Sequence, residues 1–317
     1  MAHNTVFVEL IILIEPRLID VGVGAGIGMA HRPVVHLRGK PSSLMFGLIE
    51  RLLRSATDIV LDIPIHDMVV VRYANDLAFG EASIFTPEGK PLSFGHRVVM
   101  IGFGPFTTEG DDSFGLDVDG VELILVTPAG HTGEVGSDWV DAHVVVHDLI
   151  PMHAGGGWVP PALRRWFDAL KAGQSTELAN GREHWWVGEV DVADALVRLL
   201  FSEQPFPENC KMSGRRGWGE DQTLEEFQML YRRTSAGQSG SFGIEDLTAA
   251  PTPKIELQPL MVSDSLPLTV EANRQQRPDL SAIHDALHAA DGDGWRPLVP
   301  VRTALMHCLA QMIQHSS

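Results

Sequence analysis

Residues 184–233 constrain the fold of this chain more than any other stretch. A short apolar strand leads into an acidic turn and a helix with one apolar face, and a second strand, turn and helix follow. We expect Asp191 to cap the first helix, because a carboxylate there accepts free backbone N–H groups and faces the positive end of the helix dipole. Thr223 and Glu226 have the spacing of a capping box for the second helix. This is the pattern of an α/β unit.

Further apolar, β-branched runs alternate with helical or turn-rich stretches. Strands are expected at residues 6–14, 33–37, 57–61, 96–101, 121–126 and 143–149, and helices at residues 43–54, 161–171, 280–290 and 301–314. Such alternation indicates a mostly parallel sheet that helices cover on both faces. We predict a doubly wound, Rossmann-like α/β fold, with a nucleotide-binding part at residues 1–155. Residues 156–317 would form a smaller substrate-side part, which is interleaved with the sheet and loop-rich at residues 235–277.

Charge and cysteine content exclude some classes of partner. The 317 residues include 41 acidic side chains against 24 Lys and Arg, which gives a net charge of -17, and Lys and Arg never cluster beyond a pair. A protein that binds the nucleic-acid backbone needs a basic face, so we expect no nucleic-acid partner. Cys210 and Cys308 match no disulfide framework or metal spacing. A reducing, cytoplasmic setting is the simple interpretation.

The apolar run at residues 6–14 raises the question of a membrane. It is interrupted by Glu9 and closed by Glu15 and Pro16, and it spans about ten residues where a membrane helix needs roughly twenty. No basic segment or small-residue cleavage site surrounds it. We therefore expect a buried strand and no membrane partner.

Several segments resemble one enzyme family. W-V-G-E-V-D-V-A-D-A-L is similar to a "F-V-H-V-D-D-V-A" motif, and V-V-V-H-D-L-I-P-M-H-A-G-G-G-W-V-P-P looks like a strand with its substrate loop. G-W-R-P-L-V-P-V-R-T-A-L resembles the usual C-terminal close, and A-T-D-I-V-L-D-I-P-I-H-D and H-R-V-V-M-I-G-F-G-P-F match upstream strands more loosely. Together they resemble the extended short-chain dehydrogenase/reductase family, the NAD-dependent epimerase/dehydratase group. The resemblance covers about half of the chain.

The resemblance implies a Rossmann fold, an NAD or NADP cofactor and a small-molecule ligand such as a nucleotide sugar. The implied reaction is oxidation, epimerisation or dehydration of a sugar nucleotide, with hydride transfer to a nicotinamide. Members of the family often form homodimers, so a homodimer is among the expected assemblies.

The glycine turn departs from the family pattern. The family holds its dinucleotide with a strand, a G-x-x-G-x-x-G turn and a helix, because glycine lets the backbone approach the pyrophosphate. The nearest candidate has glycines at every second position, namely Gly22, Gly24, Gly26 and Gly28. Only four residues separate this turn from the next expected strand, which is too short for a covering helix of about ten residues. It is either a displaced cofactor cradle or a flexible turn, in which case the cofactor site is lost.

Arg38 and Asp62, which follow the next two expected strands, are further candidates for cofactor binding.

The catalytic pair of the family is missing as well. The family uses a Tyr, with a Lys four residues later that lowers its pKa, and a Ser or Thr. The two tyrosines of this chain, Tyr73 and Tyr231, are followed at that spacing by Leu77 and Ser235. Thr107 lies a few residues beyond the serine position.

Other acid–base candidates lie in loops that follow the expected strands. They are His66, Asp67, His131 and His147, to which Thr107 is added as a hydroxyl group. A histidine and an aspartate from neighbouring loops could form a general-base pair. Three such groups could bind a divalent metal, but their spacing matches no compact metal motif, so no metal ligand is predicted. Histidines beside buried strands are also common as hydrogen-bonded structural residues.

Candidate substrate contacts come from the segment that resembles the substrate loop and from its neighbours. Trp158 could stack on a base or a sugar ring. Arg164 or its neighbour Arg165 could clamp a phosphate, although adjacent helix residues point apart and only one would face the site. His153 and Arg215 complete the substrate set, whereas Trp185 and Trp186 are expected in the core.

Three functions therefore remain open. The first is an NAD(P)-dependent epimerase/dehydratase-like oxidoreductase that lacks the usual Tyr-x-x-x-Lys pair. The second is a catalytically inactive member of the same fold, a pseudoenzyme that binds a ligand or a partner. The third is a hydrolase or lyase that uses the His/Asp loops.

Overall fold

The computed structural model describes residues 32–102, 118–130, 140–153, 158–176, 178, 182–240 and 277–315. The strands are β1 (Val34–Arg38), β2 (Asp58–Leu61), β3 (Ser83–Phe85), β4 (Arg97–Ile101), β5 (Glu122–Pro128), β6 (Ala142–Val146), β7 (Leu149–Ile150), β8 (Glu183–His184), β9 (Val187–Gly188), β10 (Asn209–Met212) and β11 (Trp218–Gly219). The helices are α1 (Ser43–Leu52), α2 (Ile63–Arg72), α3 (Ala74–Phe79), α4 (Pro161–Lys171), α5 (Glu189–Leu200), α6 (Glu220–Ser239), α7 (Ser281–Asp291) and α8 (Val301–Gln314).

Seven strands form one parallel sheet in the order β10-β6-β5-β4-β1-β2-β3. The chain builds β1, β2 and β3 toward one edge and then returns to place β4 on the other side of β1. Open α/β sheets bind their ligands at such a point of reversal, beside the carboxyl ends of the strands. The predicted Rossmann-like α/β fold is confirmed.

The main core lies on one face of this sheet. Side chains alternate along a strand, so Val35 and Leu37 of β1 face the core while His36 and Arg38 face the other way. Helices α1, α2, α5 and α7 contribute apolar side chains to this core, including Leu48, Val69, Leu196 and Ile283. On the opposite face, β4 and β5 contribute a separate cluster of Val98, Met100, Leu123 and Leu125.

A second cluster forms a smaller unit beside the sheet. It combines α4, α6 and α8 through buried side chains such as Leu163, Phe227 and Leu305, and it includes Ile150 of β7 and Trp186. Two short pairs support it, β7 parallel to β9 and β8 antiparallel to β11. The burial of Trp185 and Trp186 agrees with their predicted place in the core. The division of the chain at residue 155 stays a prediction.

Both predicted helix caps are wrong, because each helix begins earlier, after a glycine in extended conformation. Asp191 lies within the first turn of α5, where its carboxylate accepts the backbone N–H groups of Leu298 and Val299 at 2.8 and 3.2 Å. Thr223 lies inside α6, where its hydroxyl donates to the carbonyl of Gly219 and accepts the indole N–H of Trp186 at 3.0 Å. Both residues connect distant segments instead of capping.

Two other boundaries differ from the predictions. The segment after β2 is helix α2 and not a polar loop, since Pro64 is acceptable in the first turn of a helix. The expected strand at residues 143–149 is split into β6 and β7, because Asp148 between them adopts a φ of 45°. Within the described ranges, no helix is both long and apolar enough to cross a membrane. The expected strand at residues 6–14 lies outside the described residues.

Candidate active site

The turn between β1 and α1 lies at the reversal point of the sheet. Gly39 follows β1 with a φ of 120°, a conformation that side chains disfavour, and a Cβ there would overlap the carbonyl oxygen of Ile101 at the end of β4. The turn ends at Ser42, whose Oγ accepts the backbone N–H of Met45 at 3.3 Å and caps α1. The N-terminus of α1, with its partial positive charge, therefore lies where Rossmann-type sheets receive a pyrophosphate.

This turn takes the position in the fold that was assigned to the upstream glycines. Gly22, Gly24, Gly26 and Gly28 lie outside the described residues, so their role stays a prediction. The three glycine positions of the family pattern G-x-x-G-x-x-G correspond here to Gly39, Ser42 and Met45. The turn therefore has one of the three glycines. Repeated glycines do not mark this turn in the sequence, although the expected strand at 33–37 and the expected helix at 43–54 enclose it.

Arg38 and Asp62 meet at the ends of β1 and β2. Their side chains form an ion pair in which the guanidinium of Arg38 is buried, whereas the side chain of Asp62 remains 41% exposed. An acidic residue after the second strand is the group that hydrogen-bonds ribose hydroxyls in dinucleotide folds. The structure thus brings these two cofactor candidates together. The Asp62 carboxylate is accessible to a ligand, and the ion pair with Arg38 fixes its position.

His153 belongs to a buried ionic cluster. Its Nδ1 bonds the fully buried carboxylate of Glu189, and its Nε2 lies 2.9 Å from Glu50 of α1. Glu189 also accepts the hydroxyl of Ser43 and the backbone N–H of Met152 at 2.8 Å. The hydrogen bond to Glu189 is the largest cause of a raised His153 pKa, and Glu50 adds to it. His153 was predicted as a substrate contact, but both of its ring nitrogens bond carboxylates, one on α1 and one on α5.

A cavity of about 340 Å³ lies beside the carboxyl ends of β5 and β6. Its wall is formed by the segments after these strands, the start of α4 and strand β8, and it includes Trp158, Pro161 and Leu149. Polar groups come from Asp148, Arg165, Arg182 and His184. This volume and this mixture of apolar wall and few polar groups are typical of small-molecule sites.

Asp148 and His184 form a hydrogen-bonded pair in this wall. Asp148 is the one non-glycine residue with positive φ in the described parts of the chain, and such conformations concentrate at functional sites. One carboxylate oxygen lies 2.9 Å from His184 Nδ1, and the other accepts the backbone N–H of Trp185 at 2.8 Å. The Asp148 carbonyl accepts the N–H of Val187 at 3.2 Å. These bonds fix the carboxylate and the ring together.

The ring of His184 is buried, with a side chain only 3% exposed. It stacks on Trp186 with ring centroids 4.4 Å apart, and Trp186 is in turn held by Thr223. Among the described residues, no group hydrogen-bonds its Nε2. Because a carboxylate only accepts, Nδ1 carries the proton of the neutral ring and Nε2 carries the lone pair.

The predicted substrate arginines separate into two places. Arg165 lines the cavity, with its side chain 59% exposed and its guanidinium 3.4 Å from Glu220, whereas Arg164 is exposed on α4 and lies outside the wall. Trp158 lies in the wall but is buried. Arg215 lines a different, more open cavity of about 510 Å³ together with Arg277 and His284.

The predicted catalytic residues are also dispersed. His66 and Asp67 lie next to each other on α2, 3.0 Å apart, and neither lines either cavity. His147 is half-buried, and this partial burial lowers its pKa. Thr107 and His131 lie outside the described residues. In the part of the chain that the structure describes, no three His, Cys, Asp or Glu side chains are placed to hold a metal ion.

No family model matches the sequence, and no curated protein matches it. Solved structures do match. A UDP-N-acetylglucosamine 4-epimerase from Methanobrevibacter ruminantium, solved with UDP-N-acetylmuramic acid, gives a TM-score of 0.53 at 9% identity over 90% of this chain and 99% of the other. A UDP-glucuronic acid 4-epimerase from Bacillus cereus, solved with UDP-glucuronic acid and NAD, matches with a TM-score of 0.51 and 11% identity. The match covers 89% of this chain and 99% of the epimerase.

The chain has the fold of these epimerases. Within that fold, sequence reasoning missed His184. Asp148 was visible as a polar residue near the end of an expected strand, but its partner is 36 positions away in the chain. The position of His184 beside two tryptophans indicated only a core strand.

Proposed function

We propose that this protein binds an NAD-type dinucleotide at the β1–α1 turn and a nucleotide sugar in the 340 Å³ cavity, as an epimerase/dehydratase-like oxidoreductase. The observation that carries the proposal is the position of Gly39. It is the glycine between the first strand and first helix of the described sheet, and its backbone lies against the end of β4 at the reversal point.

The residues of the turn fit a dinucleotide. Gly39 keeps the backbone free of a side chain, the N-terminus of α1 supplies amide groups, and Lys40 is exposed beside them. Asp62 offers an accessible carboxylate to ribose hydroxyls, and the same carboxylate would repel a 2′-phosphate. We therefore propose NAD in preference to NADP. When bound, the nicotinamide would supply hydride acceptance.

The cavity fits a diphosphate-linked ligand. Arg165 and Arg182 give its wall positive charge, and planar guanidinium groups suit phosphate oxygens. Apolar wall residues and Trp158 offer surface to a ring. The two epimerases of similar fold were solved with UDP sugars, which supports the same ligand class here.

The tyrosines do not supply the acid–base group of the family. Tyr73 is buried, its hydroxyl donates to Glu50 at 3.4 Å, and burial raises its pKa to about 12. Tyr231 packs edge-on against Phe167. Proton transfer therefore requires another residue. If the protein binds no dinucleotide, the Asp148–His184 pair favours the alternative of a hydrolase or lyase. If it catalyses no reaction, it is a member of the fold that only binds a ligand or partner.

Fluorescence titration with NADH and NADPH tests the cofactor proposal, because the seven tryptophans of the chain are energy donors for a bound nicotinamide. We expect NADH to bind more tightly than NADPH. The substitution Asp62→Asn should weaken NADH binding about tenfold, or about 1.4 kcal/mol, while Asp76→Asn on exposed α3 serves as the matched control. If neither NADH nor NADPH binds at millimolar concentration, the proposal of an NAD-dependent oxidoreductase is wrong.

A further inference from the structure

We propose that His184 is the proton acceptor of the 340 Å³ cavity and that Asp148 is its positioning residue. This inference rests on the proposed function, since it supplies the acid–base group that the missing tyrosine and lysine leave open. It assigns the role to two residues from different strand ends, at β6 and β8.

The geometry of the pair is that of an oriented base. The carboxylate of Asp148 bonds Nδ1 at 2.9 Å, which fixes the ring and leaves the lone pair on Nε2. The N–H of Trp185 holds the second carboxylate oxygen, so the carboxylate itself is fixed. The carboxylate thus holds one orientation of the ring and would pair with the imidazolium once Nε2 accepts a proton.

The burial of His184 is the independent observation that indicates a ligand. Its side chain is 3% exposed and forms part of the cavity wall, and its Nε2 finds no hydrogen-bond partner in the described ranges. Buried polar atoms normally have partners, so an exception in a cavity wall requires an explanation, and a catalytic role is one of them. We infer that a hydroxyl group of a ligand in the cavity completes the hydrogen bonding of this nitrogen.

The backbone at Asp148 supports the same role. A φ of 45° turns the chain between β6 and β7, so that the carboxylate and the cavity lie at the same strand end. His147 beside it has a lowered pKa but does not line the cavity, whereas Asp148 and His184 both do. Among the described residues that line the cavity, Asp148 and His184 are the carboxylate and the imidazole, and they share a hydrogen bond.

The reaction step balances with the proposed cofactor. Nε2 of His184 would accept the hydroxyl proton of a secondary alcohol of the sugar, and the resulting imidazolium would be paired with Asp148. A bound NAD would supply the acceptor for the hydrogen on the same carbon with its electron pair, which accounts for the oxidation of the alcohol to a ketone. Arg165 and Arg182 would hold the diphosphate at the wall during this step.

Nitrogen-15 NMR of the histidine rings in the full-length protein tests the pair, with the His184 signals assigned by their loss in His184→Gln. We expect Nδ1 to be protonated and Nε2 to be unprotonated in the free protein. Adding UDP-glucuronic acid or UDP-glucose should shift the Nε2 signal, and Asp148→Asn should change the tautomer balance. An Nε2 signal that responds to neither sugar nucleotide overturns the proposal, whatever the result with NADH.

Kinetics then separates this inference from the proposed function. With NAD and the UDP sugar that shifts Nε2, single-turnover NADH formation should fall at least a hundredfold in His184→Gln, while NADH affinity and the thermal unfolding midpoint stay near those of the wild type. His307→Gln, an exposed histidine of α8, is the matched control. Equal rates in the wild type and His184→Gln would overturn the role of His184. Failure of the wild type to bind NADH would instead overturn the cofactor proposal and leave the NMR result to decide the pair.

Discussion

His153 Nε2 lies 2.9 Å from a carboxylate oxygen of Glu50, and its other ring nitrogen bonds the buried carboxylate of Glu189. The imidazole thus joins two helices that come from opposite halves of the chain. Glu50 is on α1, which begins at the proposed cofactor turn, while Glu189 opens α5. The cluster therefore ties the first helix after β1 to the first turn of α5.

Replacing His153 with Gln should destabilise the protein by about 3 kcal/mol near pH 6, because it leaves a buried carboxylate without its charge partner. The raised folded-state pKa of His153 means that its contribution is fully present below its ordinary value of 6.5 and is lost as the pH rises through the folded value. Urea unfolding at pH 6 and pH 9 should show a smaller difference from the wild type at pH 9. A difference that grows with pH would contradict the ionic cluster.

Substituting Gly39 with Ala should reduce both stability and NADH binding. The new Cβ meets the carbonyl oxygen of Ile101 in addition to the strain of a positive φ, and together these should cost about 3 kcal/mol. Gly95→Ala is the matched control, because Gly95 also has a positive φ, 81°, but open space around it. This substitution should therefore cost only the backbone strain, about 1 kcal/mol. Thermal unfolding and NADH titration of both variants measure the difference. Equal losses in the two would show that Gly39 is not tightly packed.

Asp191 should stabilise the protein through the segment before α8. Asp191→Ala removes the acceptor of two backbone N–H groups and should cost about 2 kcal/mol, whereas Asp191→Asn keeps an oxygen acceptor and should cost less. Burial raises the pKa of this carboxyl above 3.8, so the wild type should lose stability relative to Asp191→Asn as the pH rises through that folded value. Chemical denaturation between pH 4 and pH 7 checks both statements, and equal costs for Ala and Asn would contradict them.

Cys210 and Cys308 should be unreactive in the native protein. Burial raises the pKa of each thiol to about 12, so at pH 8 few thiolates exist and reagents cannot reach them. We expect negligible labelling by iodoacetamide under native conditions and labelling of two thiols in urea. Rapid native labelling of either cysteine would show that its part of the core opens.

The sheet was largely predictable from the sequence, and the reason is physical. A parallel strand with both faces covered must be apolar along its length, so runs such as 96–101 and 121–126 indicate strands without knowledge of their neighbours. Helix α4 was predicted with the bounds that the structure shows, because its apolar side chains Leu163, Trp166 and Phe167 recur at helical spacing. Local periodicity is sufficient for such elements.

The site was less predictable, because its contacts are not local. Thr223 looked like a cap but bonds Trp186, and Asp191 looked like a cap but bonds Leu298 and Val299. Both are short polar side chains that can cap a helix, but here they hydrogen-bond residues that are distant in the sequence. The Asp148–His184 pair likewise depends on how β7 and β9 align.

The seventh strand of the sheet, β10, arrives late in the chain, after the elements that build much of the cavity wall. It pairs with β6 from Asn209 to Met212, so the chain leaves the sheet, forms α4 and α5, and comes back to finish the edge. A cut between residues 150 and 209 would leave two fragments, neither with a closed interior. The elements of the cavity wall therefore depend on the completed sheet, and we expect the described structure to melt as one cooperative body.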